Sequence, residues 1–281
     1  MKPQQKVWYI TGASKGLGLS LVKQLLSAGH KVAATSRSLA DLENAVGTDN
    51  ANFLPLAVDL KDEASVNSSV NAAVSAFGQI DVVVNNAGYG LIGSLEELSD
   101  KESRDNFEIN VFGMLNVIRN VMPQLRKQRS GHIINISSIG GKATFPLGSL
   151  YHGTKFAVEG ITEALHQELA PLGIHATVVE PGFFRTDFLD EQSLVKTALE
   201  LSDYDETVGL MRKHAESANH AQPGDPVKFA EAMLALVNAP KPPQRLALGS
   251  DTIARIESKN RLVAQELAEW NELALSTDFK D

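Results

Sequence analysis

The chain has 281 residues, 43% of them apolar and 21% charged, the balance of an ordinary globular protein. Its 34 acidic residues outnumber its 26 Lys and Arg, and the net charge of −8 excludes a general nucleic-acid binder, which needs a basic face. The absence of cysteine excludes disulfides, thiolate metal sites and a cysteine nucleophile, and agrees with a cytoplasmic protein.

Residues 1–6 are polar and lead directly into an apolar run at 7–10, the first predicted strand, with no signal-peptide pattern before it. A helix follows over 17–28, closed by Gly29. Residues 31–35 read as strand two, 39–46 as a short helix and 53–58 as strand three. Apolar positions recur at helical spacing over 63–77 and stop at Gly78. Strand four is predicted at 80–84, and one long helix at 105–129. Strand five at 132–136 precedes a helix over 150–169 that ends near Pro171 and Gly173. Residues 175–179 give strand six, 226–238 a helix with Asp225 as N-cap, and 245–248 strand seven. No apolar run approaches the ~18–20 residues of a membrane span.

Short, nearly continuous apolar strands alternating with helices predict an α/β fold: a doubly wound, parallel, seven-stranded sheet with helices on both faces. The chain reads as one catalytic domain over 1–250. Within it, 183–223 forms either a lid or a permanent helical cover. Residues 251–281 extend the same domain as one or two helices.

The turn after strand one reads Thr11-Gly12-Ala13-Ser14-Lys15-Gly16-Leu17-Gly18. Glycines there let the backbone approach a pyrophosphate, and the helix that follows offers its free N–H groups to the anion. Glycine is also common in ordinary βα turns; the position after strand one favours a dinucleotide site. The place after strand two holds Ser36 and Arg37 instead of the acid that would bind a ribose 2′-OH. Arg37, with Lys15 in the glycine loop, suits a 2′-phosphate and hence NADP(H).

Tyr151 and Lys155 lie four apart in a predicted helix and share one face. A tyrosine near its ordinary pKa of about 10 is a poor base, and a neighbouring ammonium is expected to pull it down. Taken alone, the pair also fits a helix surface. Ser138, at the carboxyl end of strand five, is placed to hold a reacting oxygen opposite Tyr151. Asn110 is placed to kink its long helix and hold a water that links Lys155 to solvent. His152 points off the face of Tyr151 and reads as a surface or interface residue.

These residues resemble the short-chain dehydrogenase/reductase family in its compact, single-domain, NADP-preferring form. The matching pieces are TGASKGLG at 11–18, Asp59, NNAG at 85–88, Asn110, Ser138, Tyr151-x-x-x-Lys155 and Pro181-Gly182. The resemblance implies a Rossmann sheet and assigns roles. Gly12, Ser14, Lys15, Gly16, Leu17 and Gly18 would take the pyrophosphate, and Ser36 and Arg37 the 2′-phosphate. Asp59 would bind the adenine amino group, with Leu60 beside it. Asn85 would brace the sheet, and Asn86, Ala87 and Gly88 would admit the nicotinamide ribose. Tyr151 would be the acid/base, Lys155 would hold that ribose, Ser138 would orient the substrate, and Asn110 would carry the proton relay. Pro181, Gly182, Phe183 and Thr186 would meet the nicotinamide. Gly153 departs from the small alanine common at its place.

The loops after strands four to six carry Tyr89, Leu91, Ile139, Phe145, Leu147, Phe183, Phe184, Phe188 and Leu189. Tyr89, Phe145, Phe184 and Phe188 are the expected substrate wall, which suits a small hydrophobic carbonyl or alcohol. The expected function is an NADPH-dependent oxidoreductase that moves a hydride to or from such a carbon. A redox-sensing NADPH-binding regulator is the alternative, and a sugar-nucleotide epimerase fits less well for want of a sugar-nucleotide domain. No nucleic-acid partner and no metal are expected. The family's usual helix faces predict a homodimer or homotetramer.

Overall fold

The computed structural model describes residues 5–146, 148–190 and 193–279. Seven parallel strands form one sheet: β1 (Val7–Ile10), β2 (Lys31–Ser36), β3 (Phe53–Ala57), β4 (Val82–Asn85), β6 (Gly131–Ile136), β7 (Ile174–Pro181) and β9 (Arg245–Leu248). Their order is β3-β2-β1-β4-β6-β7-β9, so the strand order reverses between β1 and β4. This is the doubly wound sheet predicted above.

Alternation along each strand sends side chains to two cores. Tyr9, Val83, Ile133 and Val178 pack under α3 (Glu63–Phe77), α5 (Met114–Gln128) and α6 (Ser149–Leu169). Trp8, Ile10, Val84 and Ile134 pack on the opposite face under α1 (Gly16–Ser27), α2 (Leu39–Val46) and α8 (Pro226–Asn238). Caps fix the helix ends as their sequences suggest. Gly78 closes α3 in the left-handed region, and the Asp225 carboxylate accepts from Val227 N at the start of α8.

The predicted long helix is three pieces. α4 (Asp100–Phe107) begins at a capping box of Ser99 and Glu102, a π-helical turn covers Glu108–Gly113, and α5 follows. α4 is mostly polar, and the helical spacing that continues through α5 does not show the extra residue the π turn inserts. A second, two-stranded parallel sheet pairs β5 (Gly90–Ile92) with β8 (Leu194–Lys196), each too short to show a strand period. β8 and α7 (Leu210–Ala218) belong to the cover. A buried ion pair fastens them: Arg212 of α7 donates to Glu97 at 2.6 Å. The tail forms α9 (Ser250–Glu269) and α10 (Asn271–Leu275), exposed throughout from residue 260 onward among the described residues. Among the described residues, no helix is long and apolar enough to cross a membrane.

Candidate active site

The glycine turn leaves the carboxyl end of β1 and is tied to the end of β4. Asn86 Nδ2 donates to Thr11 O (3.0 Å) and Gly12 O (2.9 Å), while Thr11 Oγ1 accepts from Asn86 N (3.1 Å) and Ala87 N (3.0 Å). Gly12 has φ +64°, and a Cβ there would stand 2.7 Å from Ala87 Cα. Only glycine meets both demands. Gly18 serves packing: a Cβ on it would meet Gly12 O at 2.5 Å. Asn85, on β4, donates to Asn135 Oδ1 of β6 (2.8 Å), and Asn135 donates to Thr162 Oγ1 of α6 (2.9 Å), so a buried polar chain braces the central strands against α6.

One cavity of about 1160 Å³ runs along the carboxyl ends of the strands. It takes Asp59 and Leu60 after β3, Ser36 and Arg37 after β2, and Gly12 and Ser14 to Leu17 after β1. It continues past Asn86 to Tyr89 after β4, Ser138 after β6, and Pro181 to Phe184 with Thr186 after β7. Tyr151, Lys155, Phe145 and Phe188 complete its wall. Every site residue expected from the sequence lines it except Gly18 and Asn110.

Asn110 lies behind the wall, in the π turn, and is buried. Its Oδ1 accepts from Tyr89 N (3.0 Å), and its Nδ2 donates to Tyr89 O (3.0 Å) and Thr154 Oγ1 (3.1 Å). Its carboxamide therefore ties the loop after β4 to α6.

Tyr151 and Lys155 are both buried on the first turns of α6. Lys155 Nζ donates to Ile136 O at 2.9 Å and lies 5.9 Å from the Tyr151 ring centre. Burial pushes the Tyr151 phenol up to about 12, with the nearby Ser138 hydroxyl opposing. Burial likewise pushes Lys155 down to about 8, with Glu159 opposing. The expected lowering of the phenol by the ammonium is thus overridden: desolvation disfavours the charged form of each group. At neutral pH the pair is a phenol beside an ammonium.

Two further expectations change. His152 is buried rather than on the surface, because the 139–145 loop folds over that side of α6 and both ring nitrogens meet its backbone. Phe184 reaches the cavity, but its ring packs edge-on against Phe229 at 5.8 Å and belongs mostly to the core. Leu147 lies outside the described residues.

The cavity also uses residues the sequence reading passed over. Met211, His214, Ala215 and Ala218 form one stripe of α7 along the cavity, a spacing visible in the sequence but without a sign of what it faces. Asp251, at the start of α9, accepts from Phe183 N at 2.8 Å and so fixes the loop after β7. Its only sequence signal is an acid just after Gly249, in the first turn of a helix.

The sequence pattern of the short chain dehydrogenase family matches residues 6–196. Oxidoreductase BOA17 of Botryotinia fuckeliana is 35% identical over 97% of this chain and 99% of its own. A 3-ketodihydrosphingosine reductase of Bacteroides thetaiotaomicron is 35% identical over 89% of each chain. The crystal structure of a short-chain dehydrogenase from Streptomyces avermitilis superposes with a TM-score of 0.91 at 36% identity, covering 99% of this chain and 100% of that one. Two further solved structures, at 26% and 27% identity, hold NADP and NADH respectively. With its glycine turn, its NNAG segment and its Tyr-Lys helix gathered on one cavity, the chain belongs to the short chain dehydrogenase family of oxidoreductases.

Proposed function

We propose that the chain is an NADPH-dependent reductase of hydrophobic ketones or aldehydes, able in reverse to oxidise the corresponding alcohols. The observation that carries this reading is the convergence of Ser138, Tyr151 and Lys155 on a cavity whose far end is the glycine turn and Arg37. A left-handed glycine pressed against Ala87, followed by a helix N-terminus, is a cradle that suits a pyrophosphate. Arg37 and Lys15, both exposed on the cavity wall, favour a 2′-phosphate and hence NADP over NAD. Asp59 and Leu60 would hold the adenine; Gly88, Lys155, Pro181 to Phe183 and Thr186 would hold the nicotinamide ribose and ring.

When bound, the nicotinamide supplies a hydride to the carbonyl carbon. Ser138 holds the substrate oxygen beside Tyr151, and the Tyr151 phenol, protonated at neutral pH, delivers its proton to that oxygen. Lys155 orients the ribose and carries a positive charge one helical turn from the phenolate as it forms. Asn110 positions the loop after β4 and α6. Phe145, Phe188 and the apolar stripe of α7 favour a lipophilic substrate, a reading supported by the ketone in the name of the Bacteroides relative.

The same reading takes 1–250 as one domain with 251–281 as its extension, working in the cytoplasm. Phe112 and Phe156, 48% and 44% exposed on the helix faces around the π turn and α6, favour a homodimer or homotetramer, which native mass measurement checks.

The test is NADPH oxidation by purified protein across a panel of aldehydes and ketones. Tyr151→Phe should abolish turnover and leave NADPH binding intact. A Tyr151→Phe enzyme as active as the parent would remove the proton-transfer assignment.

A further inference from the structure

His152 stands next to Tyr151 in the chain, is 2% exposed, and has no part in the chemistry above. Its ring meets three backbone groups of one loop. Nδ1 is 2.9 Å from Gly140 O, Nε2 is 2.9 Å from Phe145 O, and Phe145 N donates to Nε2 at 3.4 Å.

A neutral imidazole has one N–H and one lone pair. The Nδ1–H form donates to Gly140 O and accepts from Phe145 N, whereas the Nε2–H form donates to Phe145 O. Each sets its lone pair near one carbonyl, Nε2 near Phe145 O or Nδ1 near Gly140 O, and only the Nδ1–H form makes the link to Gly140. Burial pushes the ring below its ordinary range, against the pull of the Gly140 and Phe145 backbone and with Arg255 adding to the fall, which favours the neutral form.

Both ends of that loop belong to the site. Gly140 N donates to Ser138 Oγ at 3.1 Å, and Ser138 lies with Tyr151 on the cavity wall, near enough to pull the phenol down. Accepting from Gly140 leaves the Ser138 O–H free to face a substrate oxygen or Tyr151. At the other end, the Phe145 ring on the cavity wall stands edge-on to the imidazole at 4.7 Å, with the Arg255 guanidinium 4.9 Å from its centre. The approach at Gly140 is close enough to demand glycine: a Cβ there would lie 2.6 Å from His152 Nδ1.

We infer that His152 is a positioning residue for the reaction proposed above, on which this inference rests: through the Gly140 peptide it holds Ser138 at Tyr151, and through Phe145 it holds the substrate wall.

Two measurements on the full chain test this. Ring nitrogen shifts in histidine-labelled protein, with His152 identified by its loss in His152→Gln, should show the Nδ1–H form; the Nε2–H form overturns the clamp. In kinetics, His152→Leu should lower kcat for ketone reduction by about 100-fold, the usual result of displacing a reacting group by an ångström. NADPH binding should be unchanged, and His152→Asn, whose amide stands where Nδ1 does and can still donate to Gly140 O, should recover most of the loss. A His152→Leu enzyme with parental kcat refutes the inference. So does one that loses NADPH affinity and melting temperature in step with kcat, without rescue by asparagine. If the parent protein turns over no carbonyl at all, the proposed function fails separately, and the nitrogen shifts still decide the clamp.

Discussion

Arg212→Met is expected to loosen the cover over the cavity. Glu97 Oε2 accepts from Arg212 (2.6 Å) and Ser94 N (2.7 Å), and Oε1 accepts from Leu201 N (2.9 Å). The Arg212 and Glu97 side chains are 7% and 0% exposed, so removing the guanidinium strands a buried carboxylate. Such a loss costs about 3–5 kcal/mol. An unfolding entropy of about 2.1 cal/mol/K per residue makes roughly 0.6 kcal/mol/K for this chain, so the melting temperature should fall by about 5–8 °C. Differential scanning calorimetry reads this directly. A double change, Glu97→Met with Arg212→Met, should recover much of the loss, because an apolar pair replaces the stranded charge. Acid should act in the same direction. Burial alone would raise Glu97, yet the Leu201 N–H and Arg212 hold it down to about 2. Its contribution is therefore complete above the unfolded carboxyl value of about 4.3 and is lost as pH falls toward 2. An Arg212→Met protein that melts with the parent would refute the view that this pair fastens the cover.

Arg37→Ala should weaken NADPH binding by at least about tenfold, the scale of one lost charge-assisted contact, and leave NADH binding unchanged; equal losses for both in fluorescence titrations would contradict the 2′-phosphate assignment. Ketone reduction should decline as pH rises through about 8, where Lys155 loses its proton, and a steady-state pH profile flat across that value would argue against a role for the ammonium. Gly153→Ala should raise the melting temperature by about 2 °C, since alanine is about 1 kcal/mol better inside a helix. Space allows it: a Cβ there would meet Phe107 Cζ at an ordinary 3.8 Å. A lower melting temperature would show that the helix needs that glycine.

The sheet was legible because its strands are buried on both sides, and apolar runs such as Val82–Asn85 mark themselves. The grouping of Ser138, Tyr151 and Lys155 on one cavity was legible because the last two stand at helical spacing and the serine follows a strand. What stayed hidden depends on contacts between distant segments. Asn110 marks a break in its helix, but that the break is a π turn at Glu108–Gly113 depends on its distant partners Tyr89 and Thr154. Burial of His152 depends on a loop more than six residues upstream folding across it, which helical spacing does not reveal. The fall of Lys155 and the rise of Tyr151 follow from desolvation, a property of the packed state. The pairing of Gly90–Ile92 with Leu194–Lys196 spans about a hundred residues, and neither strand has a partner nearer in sequence to betray it.

The strand order bears on how the chain is made. β1 is translated first and ends near the middle of the sheet. β2 and β3 then add outward on one side, and β4, β6, β7 and β9 add outward on the other, each beside a strand already present. No later strand must wedge between two paired ones, so the sheet can grow at its two margins as the chain leaves the ribosome. The pocket gains nothing from this head start: its walls draw on residues from Gly12 to Gln222, and a nascent chain has no complete binding site until most of it is out. Stabilisation by a bound nucleotide therefore reaches only the nearly finished molecule.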